Sequence, residues 1–116
     1  MATILLADAA WSVRQLARAV LERDGMAFID ATNAQEVWEA IALQRIDLIV
    51  IDVDLPPYGG QELLRGLREV VDVPVVTLAF RETRLPGCVL LKPIDAWQLV
   101  EHVESALDDG EPRRDP

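Results

Sequence analysis

The sequence has little of what several common classes of protein need. Its 116 residues include one cysteine, Cys88, and one histidine, His102, which excludes a disulfide framework and a Cys/His metal cage. No apolar run approaches the roughly 18 residues that a membrane span requires. No basic region precedes the first apolar run, as it would in a signal peptide. We therefore expect a cytoplasmic protein without a membrane attachment.

Basic residues are also scarce. Eleven Lys and Arg stand against twenty Asp and Glu, for a formal net charge of −9. Nucleic acid phosphates are bound by clustered basic side chains, so we expect no direct nucleic acid binding by this domain. Most of the carboxylates are interpreted as a solvated surface. The length fits one domain that is large enough to bury its own core.

What the sequence does contain is an alternation of short apolar strands with amphipathic helices. Helices are predicted after caps at Ser12, Asn33 and Asp95, with a further helix over 61–71. The predicted strands are 3–8, 26–30, 48–52, 75–79 and 88–91. Between the last two strands the chain is short and broken by Pro86, so the helix expected there is shortened or missing.

This alternation predicts parallel strands joined by helical crossovers. With right-handed crossovers, the simplest arrangement is a single flavodoxin-like doubly wound α/β fold. Its sheet has five parallel strands in the order 2-1-3-4-5. In that order the first and third strands lie side by side at the centre of the sheet. Each of them ends on an acid, Asp8 and Asp52, which we expect to be neighbours.

The stretch Asp47–Gly60 organises the chain, because a buried apolar strand in it ends on Asp52 and then turns through prolines and glycines. Open parallel sheets carry their chemistry at the carboxyl ends of the strands. There, Asp52 could attack phosphorus to give an acyl phosphate. Asp8 could help to hold Mg²⁺, and Lys92, at the end of the fifth strand, could bind a phosphoryl oxygen.

Three motifs, Ile4–Asp8, Asp47–Pro56 and Leu91–Ile94, stand in this order along the chain. Together they resemble the receiver domain of two-component response regulators, over roughly residues 3 to 108. The resemblance implies a receiver domain over 1–108. The charged, Pro-containing segment 109–116 is then predicted to be a disordered tail or a linker stub.

The resemblance also implies roles. Asp52 matches the phosphoacceptor, Asp8 one member of the family's acidic pair, and Lys92 its phosphate-binding lysine. It implies a phosphorelay signalling module rather than an enzyme, with a histidine kinase or phosphotransfer protein as partner. An output domain or a homodimer would carry the signal onward.

Several positions depart from the family pattern. Ala9 replaces the second acid of the pair, Ala79 the hydroxyl residue that ends the fourth strand, and Val89 the aromatic three residues before the lysine. We therefore expect a divergent receiver whose Mg²⁺ binding is weak or lost. Asp54 could supply the missing acid if the backbone beyond Asp52 stays extended, because alternate residues then point to one side.

Two alternatives remain open. The first is a pseudo-receiver that is never phosphorylated and acts only as a protein-interaction module, which the three departures favour. The second, more remote, is a haloacid-dehalogenase-like phosphatase, because Asp52-Val-Asp54 resembles the Asp-x-Asp motif of those enzymes. In those enzymes, however, the motif ends the first strand of a larger fold and is followed by Gly-Thr.

Overall fold

The computed structural model describes residues 2–22, 25–57, 60–81 and 87–108. Within these ranges the chain forms five strands and four helices. In chain order they are β1 (Thr3–Ala7), α1 (Trp11–Leu21), β2 (Ala27–Ala31), α2 (Ala34–Leu43), β3 (Leu48–Asp52), α3 (Gly60–Val70), β4 (Val75–Ala79), β5 (Cys88–Leu91) and α4 (Ala96–Asp108). The sheet order is β2-β1-β3-β4-β5 and every neighbouring pair is parallel. The predicted flavodoxin-like fold is confirmed.

The connection between β4 and β5 is the irregular part of the fold. In the described part of this connection, residues 80, 81 and 87, the chain forms no helix. Residues 82–86, where the rest of the shortened or missing helix was predicted, lie outside the described residues. So does the predicted tail at 109–116. β4 and β5 are parallel neighbours in the sheet.

The sheet is covered on both faces, which is why its central strand is apolar up to Asp52 at its end. All five residues of β3 are buried. Side chains alternate along a strand, so Ile49 and Ile51 join one core cluster, while Leu48 and Val50 join the other. The first cluster packs against α2 and α3, and the second against α1 and α4.

Two of the predicted helix caps are present and one is not. Asn33 Oδ1 accepts a hydrogen bond from Glu36 N at 2.9 Å, and Asp95 Oδ1 accepts one from Gln98 N at 3.1 Å. The prediction for Ser12 was wrong, because α1 already begins at Trp11 with Ala10 as its N-cap. None of the helices in the described ranges is long and apolar enough to cross a membrane.

Strand register brings the predicted site residues to one edge of the sheet. Ala7 pairs with Ile51, so the next residues, Asp8 and Asp52, leave neighbouring strands at the same level. On the other side of β3, the carbonyl of Ala79 at the end of β4 accepts a hydrogen bond from Lys92 N at 2.7 Å. The carboxyl ends of β1, β3, β4 and β5 therefore converge.

Candidate functional site

A lysine and two carboxylates form a buried cluster at this edge. The Lys92 ammonium donates a hydrogen bond to Asp8 Oδ2 at 2.7 Å and lies 3.4 Å from Asp52 Oδ2. The side chains of Lys92, Asp8 and Asp52 are only 5%, 4% and 8% exposed. One ammonium thus forms ion pairs with two carboxylates in a site that is largely shielded from water.

The backbone around Asp8 holds its carboxylate in place. Asp8 N donates to the carbonyl of Ala31 at 3.0 Å, which extends the pairing of β1 with β2 by one residue. Asp8 Oδ1 accepts a hydrogen bond from Ala10 N at 2.9 Å. This bond closes the turn that lets α1 begin at Trp11 and leaves Oδ2 directed at the lysine.

A buried arginine supports the same turn, and the sequence analysis missed it. Arg14 on α1 donates from Nη1 to the carbonyl oxygen of Asp8 at 2.7 Å, and its Nε lies 3.2 Å from Asp30 Oδ2. Arg18, one helical turn later, lies 2.6 Å from the other oxygen of Asp30. Two arginines four residues apart on a predicted helix were the available signal.

The Asp52 carboxyl lies in surroundings that disfavour its negative charge. Burial raises the pKa of Asp52 most, and the charge of Asp8 raises it further. A hydrogen bond from Asp54 N, at 3.2 Å to Oδ1, and the Lys92 ammonium act in the opposite direction. The net result is a raised pKa, so this carboxylate is more basic than an ordinary aspartate, and a cation placed here would stabilise it.

Asp54 does not lie as the sequence argument required. The chain turns at residues 53–54, and Leu55 N donates to the Asp52 carbonyl at 3.1 Å. Asp54 is exposed, and the extended backbone that would have aimed it beside Asp52 is absent. In the described ranges no group of three or more His, Cys, Asp or Glu side chains could hold a metal ion. The role of Asp54 as a metal ligand stays a prediction, without the extended backbone on which it was based.

The three departing positions lie in the loop after β1, at the end of β4 and on β5. Ala9 is exposed in the loop after Asp8, and Ala79 is the last, buried residue of β4. The nearest hydroxyl on that strand belongs to Thr77, which pairs with Ile51 on one side and Val89 on the other. Thr77 therefore lies below the end of the sheet, in line with the residue before Asp52.

An aromatic ring that the sequence analysis did not consider lies against the lysine. The Phe80 ring centroid is 4.8 Å from Lys92 Nζ, and Phe80 is 69% exposed. Ala79 pairs with Leu91 in the sheet, and Phe80 and Lys92 are the residues that directly follow them on the two adjacent strands. The strand register was therefore the signal that could have placed this ring beside the ammonium.

A sequence model of the response regulator receiver domain matches residues 4–86. The chain belongs to this family.

Curated relatives agree with this membership. The KDP operon transcriptional regulatory protein KdpE of Escherichia coli K12 is 35% identical over 81 residues, which are 70% of this chain and 36% of that protein. The phosphate regulon transcriptional regulatory protein PhoB of Pseudomonas aeruginosa is 28% identical over 117 residues, 90% of this chain and 51% of the relative. The receiver chain thus spans about a third to a half of these regulators.

Solved receiver structures share the fold. The signal receiver domain of an HD domain-containing protein from Pseudomonas fluorescens Pf-5 superposes with a TM-score of 0.87 at 20% identity, covering 96% of this chain and 98% of that one. A CheY-like receiver domain protein from Methanospirillum hungatei JF-1 gives 0.85 at 20% identity, over 97% and 98%. These structures confirm the predicted fold, and the family match confirms the predicted resemblance to receiver domains.

Family membership sets the coarse function of the chain. Receiver domains are signalling modules of two-component response regulators, and they generally bind Mg²⁺ at their phosphorylation site. They are not typically enzymes, although one relative is named as protein-glutamate methylesterase/protein-glutamine glutaminase 3 of Hahella chejuensis.

Proposed function

We propose that this receiver accepts a phosphoryl group on Asp52 from a histidine kinase or a phosphotransfer protein. The observation that carries the proposal is the buried cluster in which the Lys92 ammonium lies 2.7 Å from Asp8 and 3.4 Å from Asp52. A basic carboxylate beside a fixed positive charge suits attack on a phosphoryl group, whose developing negative charge the ammonium stabilises.

The transfer is a simple displacement. A carboxylate oxygen of Asp52 forms a bond to phosphorus while the phosphorus–nitrogen bond of the donor phosphohistidine breaks. The electrons of that bond return to the leaving imidazole. The Lys92 ammonium neutralises phosphoryl oxygens, whereas Asp8 keeps that ammonium in place.

Asp8 and Asp52 are the residues that would hold Mg²⁺. Two carboxylates suffice for Mg²⁺ when phosphate oxygens and water complete its coordination, so the donor set fits a weak site. When bound, the ion would supply further neutralisation of the phosphoryl charge. Because Ala9 removes the second acid and Lys92 already pairs with Asp8, we expect lower affinity than the family generally has.

Intact mass spectrometry tests the proposal directly. The protein is incubated with a small phosphodonor and Mg²⁺, beside Asp52→Asn and, as a matched control, Asp54→Asn, which alters the exposed carboxylate two residues away. We expect one phosphate adduct that hydroxylamine removes, lost in the first variant and retained in the second. An adduct that survives Asp52→Asn would refute the assignment. The same Asp54 variant tests metal binding, since an unchanged Mg²⁺ affinity would exclude Asp54 as a ligand.

A pseudo-receiver is the second candidate. The ion pair between Lys92 and Asp8, together with Ala9, Ala79 and Val89, favours it, because these features reduce metal binding and remove the usual route of the signal. This candidate would be supported if neither a small phosphodonor nor a partner kinase gave a phosphate adduct. The phosphatase alternative is disfavoured by the family membership, and turnover of a phosphate ester would be needed to restore it.

The wider architecture belongs to the same proposal. We place the receiver domain at 1–108, with a tail or linker stub at 109–116. Relatives such as KdpE are longer transcriptional regulators, which supports an output domain as the recipient of the signal, with a homodimer as the alternative. Limited proteolysis followed by mass analysis tests the boundary, and a stable fragment ending well before residue 108 would contradict it.

A further inference from the structure

The Phe80 ring lies against the Lys92 ammonium. Its centroid is 4.8 Å from the ammonium nitrogen. The Lys92 side chain is only 5% exposed, whereas Phe80 is 69% exposed. The ring therefore stands between the ammonium and the solvent. We propose that Phe80 is a positioning residue that holds the Lys92 ammonium against Asp8 and Asp52.

Core packing does not account for the position of this ring. A phenylalanine that is mostly exposed contributes little apolar burial, so the sheet gains little from having it directly after β4. The face of an aromatic ring attracts a cation within about 6 Å of its centroid. The contact with Lys92 is an interaction that can hold this exposed ring in place.

The backbone keeps the two residues together. Ala79 and Leu91 pair in the sheet, and Lys92 N donates to the Ala79 carbonyl at 2.7 Å. Phe80 and Lys92 follow these anchors directly, so the strand pairing keeps their backbones adjacent.

The consequence for signalling rests on the proposed function. In an Asp52 acyl phosphate, hydrolysis occurs when a water oxygen attacks phosphorus and the phosphorus–oxygen bond to Asp52 breaks, releasing inorganic phosphate. A ring that covers the lysine restricts water and keeps the ammonium on the phosphoryl oxygens. Phe80 should therefore prolong the lifetime of the phosphorylated state.

The chain offers an unusually direct test, because Lys92 is its only lysine. Reductive methylation with formaldehyde labels this amine and the amino terminus, and peptide mapping separates the two. The unphosphorylated protein is compared with Phe80→Ala, Phe80→Leu and Phe80→Tyr. The Leu variant keeps bulk without a ring face, and the Tyr variant restores the face.

We expect Lys92 to be labelled roughly two- to fivefold faster in the Ala and Leu variants, the factor that corresponds to one cation–π contact at an exposed site. The Tyr variant should label at the wild-type rate, and the amino terminus should react equally in all four proteins. An Ala or Leu variant that labels like the wild type would overturn the proposal. Because Phe80 is mostly exposed, these variants should fold, and circular dichroism verifies it.

The second readout is the half-life of the Asp52 phosphate adduct. We expect it to shorten in the Ala and Leu variants and to return in the Tyr variant; an unchanged half-life would refute the effect on lifetime. If the wild type forms no adduct, the proposed function fails, while the labelling rates still decide whether Phe80 positions Lys92. The two failures are therefore distinguishable.

Discussion

Removing the Lys92 charge should strongly destabilise the fold. The substitution Lys92→Met keeps most of the stem but leaves Asp8 and Asp52, 4% and 8% exposed, without their cation. Breaking a buried ion pair by deleting one partner costs about 3–5 kcal/mol. That is a large share of the roughly 5–15 kcal/mol by which a domain is stable. We therefore expect a marked fall in the free energy of unfolding.

Urea unfolding at neutral pH in the presence of a chelator measures this loss. Asp8→Asn and the double variant Asp8→Asn/Lys92→Met complete a thermodynamic cycle with the wild type. If the cost comes from uncompensated carboxylates, the double variant should recover part of the stability that Lys92→Met loses. Acidification should also reduce the difference in unfolding free energy between Lys92→Met and the wild type, because the pKa of Asp52 is raised and its protonated carboxyl needs no cation. Added Mg²⁺ should stabilise Lys92→Met if the two carboxylates bind it.

Two results would refute the reasoning. A loss below about 1 kcal/mol would mean that the pair behaves like an exposed, screened surface pair. The second result is a loss of about 3–5 kcal/mol in Lys92→Met that is just as large when Asp8→Asn is already present. Lys92 would then stabilise the protein through its stem and its contact with Phe80 rather than through its charge.

Two carboxyls should give opposite pH dependences. The pKa of Asp52 is raised by burial and by Asp8, so protonation of this carboxyl favours the native state and stability falls as pH rises. At pH 7, Asp52→Asn should therefore unfold at a higher urea concentration than the wild type. This difference in urea midpoint should disappear below about pH 4, where the carboxyl is protonated in the unfolded chain as well. The pKa of Glu36 is lowered from 4.5 by hydrogen bonds from the N–H and the hydroxyl of Thr32. The contribution of this carboxylate to stability is therefore lost on acidification. Glu36→Gln should lower the free energy of unfolding by about 1 kcal/mol at pH 7 and by less in acid. For either variant, a difference from the wild type of the opposite sign at pH 7 would contradict the cause assigned to that pKa shift.

Much of the fold is local information, and the sequence contained it. The uninterrupted apolar run of β3 predicted a strand covered on both faces, because a strand that faced water on one side would alternate. Asn33 and Asp95 predicted helix starts because their side chains bond to backbone only three residues away. Asp8 and Asp52 could be placed side by side because strand order alone makes their strands neighbours.

Two loops differ from what the sequence suggested, because an aspartate of the cluster accepts a hydrogen bond from the backbone that follows it. Ser12 looked like a helix cap, but the Asp8 carboxylate, bonded to Ala10 N, starts the helix earlier. The proposed role of Asp54 required an extended chain beyond Asp52, whereas Leu55 N donates a hydrogen bond to the Asp52 carbonyl in a turn. In both cases an aspartate of the cluster organised the loop that follows it.

By itself the sequence determined the alternation of strands and helices, the covered sheet, and the three motifs whose residues meet at its edge. Only the tertiary structure decided that Lys92 bonds to Asp8, 84 residues away, that Arg14 supports the Asp8 turn, and that Phe80 covers the ammonium. The reason is physical. Patterns along a chain report periodic burial, whereas the charge state of a buried site depends on distances that strand register sets between distant segments.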